Sequence, residues 1–225
     1  MRSLEQVGVL NGYLGLPAGH GPWPAVIVIH EWWGLDLQTQ AVADRLAQIG
    51  YMAFAPDLFH GELAALGDRD KASALVQKFG PGAPRELGTA LEALSGRPGC
   101  SGKLGSVGFC FGGRMALLLA LERRLDAVCT FYGGGMQQIF DRLTSIQSPV
   151  LGLFGDRDAS IPLGTIEQFK QILDSAGVEH EIVVYPGAGH AFFRDSDLSV
   201  YVPGAAKDAW HRLGQFFSQH LVGRP

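Results

Sequence analysis

Cysteine is scarce in this chain: Cys100, Cys110 and Cys129 are the three among 225 residues. Their number is odd and their spacing unpaired, which excludes a disulfide framework. Free thiols in a reducing compartment, the cytoplasm, are the expectation. Positive charge is also short. A net charge of -4 leaves no basic surplus of the kind that nucleic-acid binding requires. Long apolar runs are absent too. Met115 to Leu121 is closed by Glu122-Arg123-Arg124 and is far too short to span a membrane. Residues 1–20 lack the basic start and apolar core of a secretory leader. The histidines and acids show no metal-ligand spacing such as H-x₃-H, so neither a metal nor another cofactor is expected.

What the chain has is core-forming material. Hydrophobic residues make up 47% of it, enough for one large α/β domain over residues 1–225. Val7 to Leu16 reads as an edge hairpin or strand broken by Gly12 and Gly15. Ala25 to Ile29 is a continuous β-branched run, the pattern of a strand buried on both faces. Further strands are expected at 51–55, 103–109, 126–131, 150–154 and 180–185. Helices are expected at 37–49, 68–79, 85–94, 114–122, 163–176 and 205–219. Strands separated by helix-length segments predict a mostly parallel sheet with helices on both faces. In such sheets the ligand crevice lies beyond the carboxyl ends of the strands.

The most informative stretch is Gly108-Phe109-Cys110-Phe111-Gly112-Gly113, between a strand and a helix. It has the form of the nucleophile elbow G-x-S-x-G, with sulfur in place of the serine oxygen. The turn is tight, and Gly108 and Gly112 remove the side chains that would collide there. Cys110 then stands at a helix N-terminus, where the dipole favours a negative sulfur. The Phe111 amide points toward a developing oxyanion. A thiol nucleophile needs a base, and the base needs an acid to orient it. His190 follows the last strand, and Asp156 and Asp158 follow the strand before it. The chain order nucleophile, acid, histidine is that of α/β-hydrolases. Either aspartate fits the acid role by position.

Taken together, these segments resemble the dienelactone hydrolase family of α/β-hydrolases. The likeness is carried by Val26 to Ile29 running into Glu31 and Gly34, and by Phe54-Ala55-Pro56-Asp57-Leu58. The Cys110 elbow, Gly155-Asp156-Arg157-Asp158 with Ile161-Pro162, and Gly189-His190-Ala191-Phe192 complete it. The resemblance implies the α/β-hydrolase fold and a triad of Cys110, Asp158 and His190. It also implies an oxyanion hole from the backbone amides of Phe111 and Trp32. A glutamate at the position of Glu31 holds the resting thiol neutral in that family, until substrate displaces it. Arg194 and Arg69 fall on arginines that bind a substrate carboxylate, and Trp33 is expected to cover the core or wall the pocket. Ser73 and Val76 depart from the family's tyrosine and tryptophan, which predicts a differently shaped pocket.

The expected activity is hydrolysis of a small ester or lactone through an acyl-enzyme, with preference for a carboxylate-bearing substrate. The alternatives are a thioesterase or acyl transferase on the same scaffold, and a non-catalytic ligand-binding homologue. The partner expected is a small-molecule ester or lactone, with no nucleic acid and no membrane. The expected assembly is a monomer or weak homodimer.

Overall fold

A computed structural model describes residues 4–222. Its centre is an eight-stranded sheet. In chain order the strands are β1 (Leu4–Val7), β2 (Leu10–Gly15), β3 (Trp23–Ile29), β4 (Met52–Pro56), β5 (Cys100–Phe109), β6 (Ala127–Phe131), β7 (Val150–Gly155) and β8 (His180–Tyr185). Their order across the sheet is β1-β2-β4-β3-β5-β6-β7-β8. β1 and β2 pair antiparallel at one edge, and every pair from β4 to β8 is parallel. Strands β4, β6 and β7 are buried along their whole length, as their unbroken apolar runs require.

The helices are α1 (Leu37–Gln48), α2 (Arg69–Phe79), α3 (Ala83–Ser95), α4 (Phe111–Glu122), α5 (Phe140–Leu143), α6 (Leu163–Ser175) and α7 (Pro203–Phe217). Asp36 caps α1 by accepting from the Thr39 amide at 3.0 Å, and Asp68 caps α2 through Lys71. Helix α1 buries Val42, Ala43 and Leu46, which share one face. It meets α7 where the Arg45 guanidinium lies 3.8 Å from the Trp210 ring centre. Helices α3 and α4 pack on each other and on β5.

One expectation is corrected here, and one stretch gains structure that the sequence did not assign. Gly12 and Gly15 do not break a strand; both lie inside β2. A Cβ at Gly12 would sit 2.4 Å from the Ala55 carbonyl oxygen, so the glycine is needed for close strand packing. The stretch after β6 forms a 3₁₀ turn, Met136–Ile139, and then α5, neither of which is long enough to show a helical period.

Parallel register brings the strand ends to one edge of the sheet. Ile29 pairs with Gly108, Phe109 with Phe131, and Gly155 with Tyr185. The residues that follow therefore emerge side by side. Cys110 is the sharpest of these exits, with φ 51° and ψ −114°, a conformation that costs energy for any residue with a Cβ. The surrounding backbone fixes it. The Cys110 amide donates to the Phe131 carbonyl at 3.0 Å, and the Cys110 carbonyl accepts from Gly113 and Gly134 at 3.0 and 2.9 Å. A Cβ at Gly108 would lie 1.9 Å from the Gly112 carbonyl oxygen, and one at Gly112 would lie 2.3 Å from that of Ile29.

Gly108→Ala is therefore expected to destabilise the protein by about 3 kcal/mol or more, a fall in Tm of roughly 6–12 °C. Gly214, in α7, has no atom within 4 Å of an added Cβ. Gly214→Ala is expected to raise stability by about 0.5–1 kcal/mol. Thermal melts of the two variants check this contrast. Equal behaviour would mean that backbone contact at the elbow does not limit stability.

Candidate active site

The site is built at the exits of β3, β5, β6, β7 and β8. His190 Nδ1 donates to Asp158 Oδ2 at 2.6 Å. Asp158 is almost fully buried, and its other oxygen accepts from the amides of Ser160 and Ile161 at 2.8 and 3.2 Å. That carboxylate is thus held from three directions. Burial alone would make His190 harder to protonate. The hydrogen bond to Asp158 and the Cys110 sulfur outweigh it and push the His190 pKa up to about 10. The histidine therefore lies between a carboxylate and a thiol. Asp156, the other aspartate the sequence left open, points elsewhere. It accepts from the Gly187 amide at 2.7 Å and ties the β7 loop to the β8 loop.

Phe111 is the first residue of α4, so its amide has no carbonyl four residues back to bond within the helix. Trp32 and Trp33 meet edge to face, with ring centres 5.0 Å apart. Both line a cavity of about 640 Å³, together with Cys110, Phe111 and His190. Its other walls include Leu66, Val76 and Val200, which are apolar, and Arg69, Arg114 and Arg194, which are cationic. Val76 faces this cavity, and Ser73 accepts a hydrogen bond from Gln77 on α2 itself.

Glu31 and Arg194 do reach the site, but they are bound to each other. Arg194 Nη1 donates to Glu31 Oε2 at 2.9 Å, and Nη2 donates to Asp36. Both Glu31 and Arg194 are nearly inaccessible to solvent. Tyr132 Oη donates to the second Glu31 oxygen at 3.2 Å. Burial pushes the Glu31 carboxyl up, and the Arg194 guanidinium pulls it partly back. The Tyr132 hydroxyl is pushed well up by the same burial and by the Glu31 charge beside it. Neither partner of Glu31 is the thiol, so the contact implied for a resting enzyme is not the one seen here.

Four contributors were not assigned a role from the sequence. Asp36 caps α1 and pairs with Arg194; its place before a helix marked the cap but not the partner. Tyr132 follows β6, at the same edge as the other site residues, and that position was the available signal. His30 is fully buried, and burial lowers its pKa. Its Nδ1 donates to the Glu31 carbonyl at 2.6 Å and its Nε2 accepts from the Leu58 amide at 3.2 Å. That neutral ring locks the β3 exit to the β4 exit. Arg114, one turn into α4, is the fourth. Among the described residues no cluster of three or more His, Cys, Asp or Glu is placed to hold a metal ion. Nor is any helix among them long and apolar enough to cross a membrane.

Comparison with known proteins identifies the family. Residues 10–221 match the dienelactone hydrolase family. A Yersinia pestis protein named "putative carboxymethylenebutenolidase" is 37% identical over 228 residues, covering 95% of this chain and 85% of that protein. A crystal structure from Klebsiella pneumoniae, titled as a "putative dienelactone hydrolase", is 33% identical with a TM-score of 0.80 and covers 93% of each chain. A dienelactone hydrolase-like promiscuous phosphotriesterase from metagenomic libraries superposes with a TM-score of 0.86 at 25% identity. That match covers 98% of this chain and 97% of the other. The eight-stranded, mostly parallel sheet with its helices is an α/β-hydrolase fold, and the chain belongs to the dienelactone hydrolase family of hydrolases.

Proposed function

We propose that the protein hydrolyses small esters or lactones through a Cys110–His190–Asp158 triad and an acyl-enzyme. One observation carries the reading: His190 is bonded through Nδ1 to a buried carboxylate at 2.6 Å and faces Cys110 across a pocket lined by both. The Cys110 sulfur attacks the substrate carbonyl, and its proton resides on His190. Asp158 keeps the ring oriented and stabilises its charge. The amides of Phe111 and Trp32 receive the oxyanion. The leaving alkoxide takes the proton from His190, and a lactone opens here without releasing a fragment. Water, deprotonated by His190, then attacks the thioester carbonyl, and the acid departs as the sulfur leaves with the proton again on His190. The apolar walls of Trp33, Leu66, Val76 and Val200 suit a small substrate body.

A preference for carboxylate-bearing substrates fits the pocket's cations, with Arg69 on its exposed side. Arg194 is less suited to that role than its position implies. Detaching a buried guanidinium from its partner costs about 3–5 kcal/mol. A new charge-assisted hydrogen bond returns about 1.5–3 kcal/mol. Arg194 is held by two carboxylates, so it serves better as the counter-ion of Glu31.

Cys110→Ala is expected to lower kcat/KM for small lactones and esters by about four orders of magnitude while the fold persists. Cys100→Ala and Cys129→Ala are expected to keep activity, since Cys129 is buried in β6 and Cys100 begins β5 away from the site. Mass spectrometry of the quenched enzyme should show the acyl group on Cys110. Activity of Cys110→Ala within tenfold of the wild type would remove the covalent mechanism.

The charge on His190 gives a second test. Negative neighbours favour the protonated ring, so wild-type His190 should stay charged until about pH 10. Asp158→Asn and Cys110→Ala each remove one such neighbour. Both should shift the ring's titration downward, toward the ordinary value of 6.5. NMR of ring-labelled histidine follows this directly. A titration that neither change moves would separate His190 from both groups.

A further inference from the structure

Arg114 is the one buried-side cation of the pocket whose charge no described carboxylate answers. It sits one turn after Cys110 on α4 and lines the cavity. Nη1 donates to the side-chain oxygen of Gln138, a neutral acceptor. Nε is buried with no partner, and no described residue accepts from Nη2. Arg194 differs in having two carboxylates on its guanidinium. The other charged groups lining the cavity are Glu31, which is paired with Arg194, His190, which is bonded to Asp158, the exposed Arg69, and Asp197. The Asp197 Oδ1 oxygen accepts from the Ser199 amide and hydroxyl.

Glycine backbone lies beside both the sulfur and the guanidinium. A Cβ at Gly134 would lie 3.3 Å from the Cys110 sulfur, and one at Gly135 would lie 2.7 Å from Arg114 Nη1. Gly134, beside the sulfur, lines the cavity, and Gly135 packs bare backbone against the guanidinium. Burial disfavours the Arg114 charge, and a negative Cys110 sulfur favours it. The guanidinium stays positive in a pocket with largely apolar walls, where an anion gains most from it.

We propose that Arg114 is the specificity-determining cation of this pocket: it receives a carboxylate carried by the substrate, held by Gln138 and given room by Gly134 and Gly135. This rests on the proposed hydrolase activity only for the identity of the substrate. The carboxylate accepts from Nη2, leaving the Nη1 contact to Gln138 in place.

The test uses Cys110 as its own probe, in the full-length protein. Iodoacetate and iodoacetamide alkylate the same thiol and differ in carrying a carboxylate or a neutral amide. Their rate ratio at Cys110 is measured in the wild type, Arg114→Gln and Arg114→Lys, with circular dichroism to verify folding. Arg114→Gln should lower the iodoacetate-to-iodoacetamide ratio by roughly ten- to a hundred-fold, the range of one charge-assisted bond. Arg114→Lys should restore much of it. In parallel, kcat/KM is compared for p-nitrophenyl hemisuccinate and p-nitrophenyl butyrate. The acidic ester should lose a similar factor in Arg114→Gln and the neutral ester little. An unchanged alkylation ratio, or equal loss on both reagents and both esters, overturns the assignment. If the wild type cleaves neither ester, the hydrolase reading fails, and the alkylation ratio still decides the role of Arg114.

Discussion

The tight backbone contact at the elbow governs the rest of the molecule. Gly108, Gly112 and the Ile29 carbonyl approach so closely that no side chain fits between them. That approach fixes the start of α4 against the ends of β3 and β5. The left-handed conformation of Cys110 is unfavourable by itself and persists because its amide and carbonyl are bonded to fixed partners. Once the sulfur is placed, parallel register puts the β7 and β8 loops beside it. Gly187 N donates to Asp156 and Arg157 N to the Ala188 carbonyl, so bonds between the two loops hold the Asp158–His190 side chains together.

A second constraint is electrostatic. Glu31 and Arg194 are far apart in sequence and meet almost out of water, with Asp36 and Tyr132 completing their shell. Buried charges need such partners, because desolvation otherwise exceeds what any single contact returns. His30 fastens the same loop from below through its two ring nitrogens. The backbone around Trp32 is therefore held at both ends: by His30 and Glu31 on one side, and on the other by the α1 cap Asp36, which is also bound to Arg194.

Much of this was legible in the chain itself. Buried parallel strands announce themselves as β-branched runs, and His180–Tyr185 coincides with its expected limits. The elbow glycines and the order of Cys110, Asp158 and His190 are local features, and local features survive in a one-dimensional record. Pairing is different. Nothing near Arg194 in sequence indicates that Asp36 and Glu31 will occupy both arms of its guanidinium. Nor does Asp156 differ in kind from Asp158 until the β8 loop is laid beside them. The glycines of β2 look like interruptions when read along the chain. Read in three dimensions, they are the places where Phe54 of β4 and the α1 backbone at Ala43 need space.

The pocket draws on two kinds of chain. Cys110, Asp158 and His190 leave the ends of paired strands, whereas Leu66, Gly67, Asp197 and Val200 come from excursions outside the sheet. Insertions, deletions and substitutions in those excursions can reshape the cavity without disturbing a strand register. The scaffold thus separates inherited chemistry from adjustable selectivity. Related chains can accept different molecules by changing the rim and leaving the floor alone.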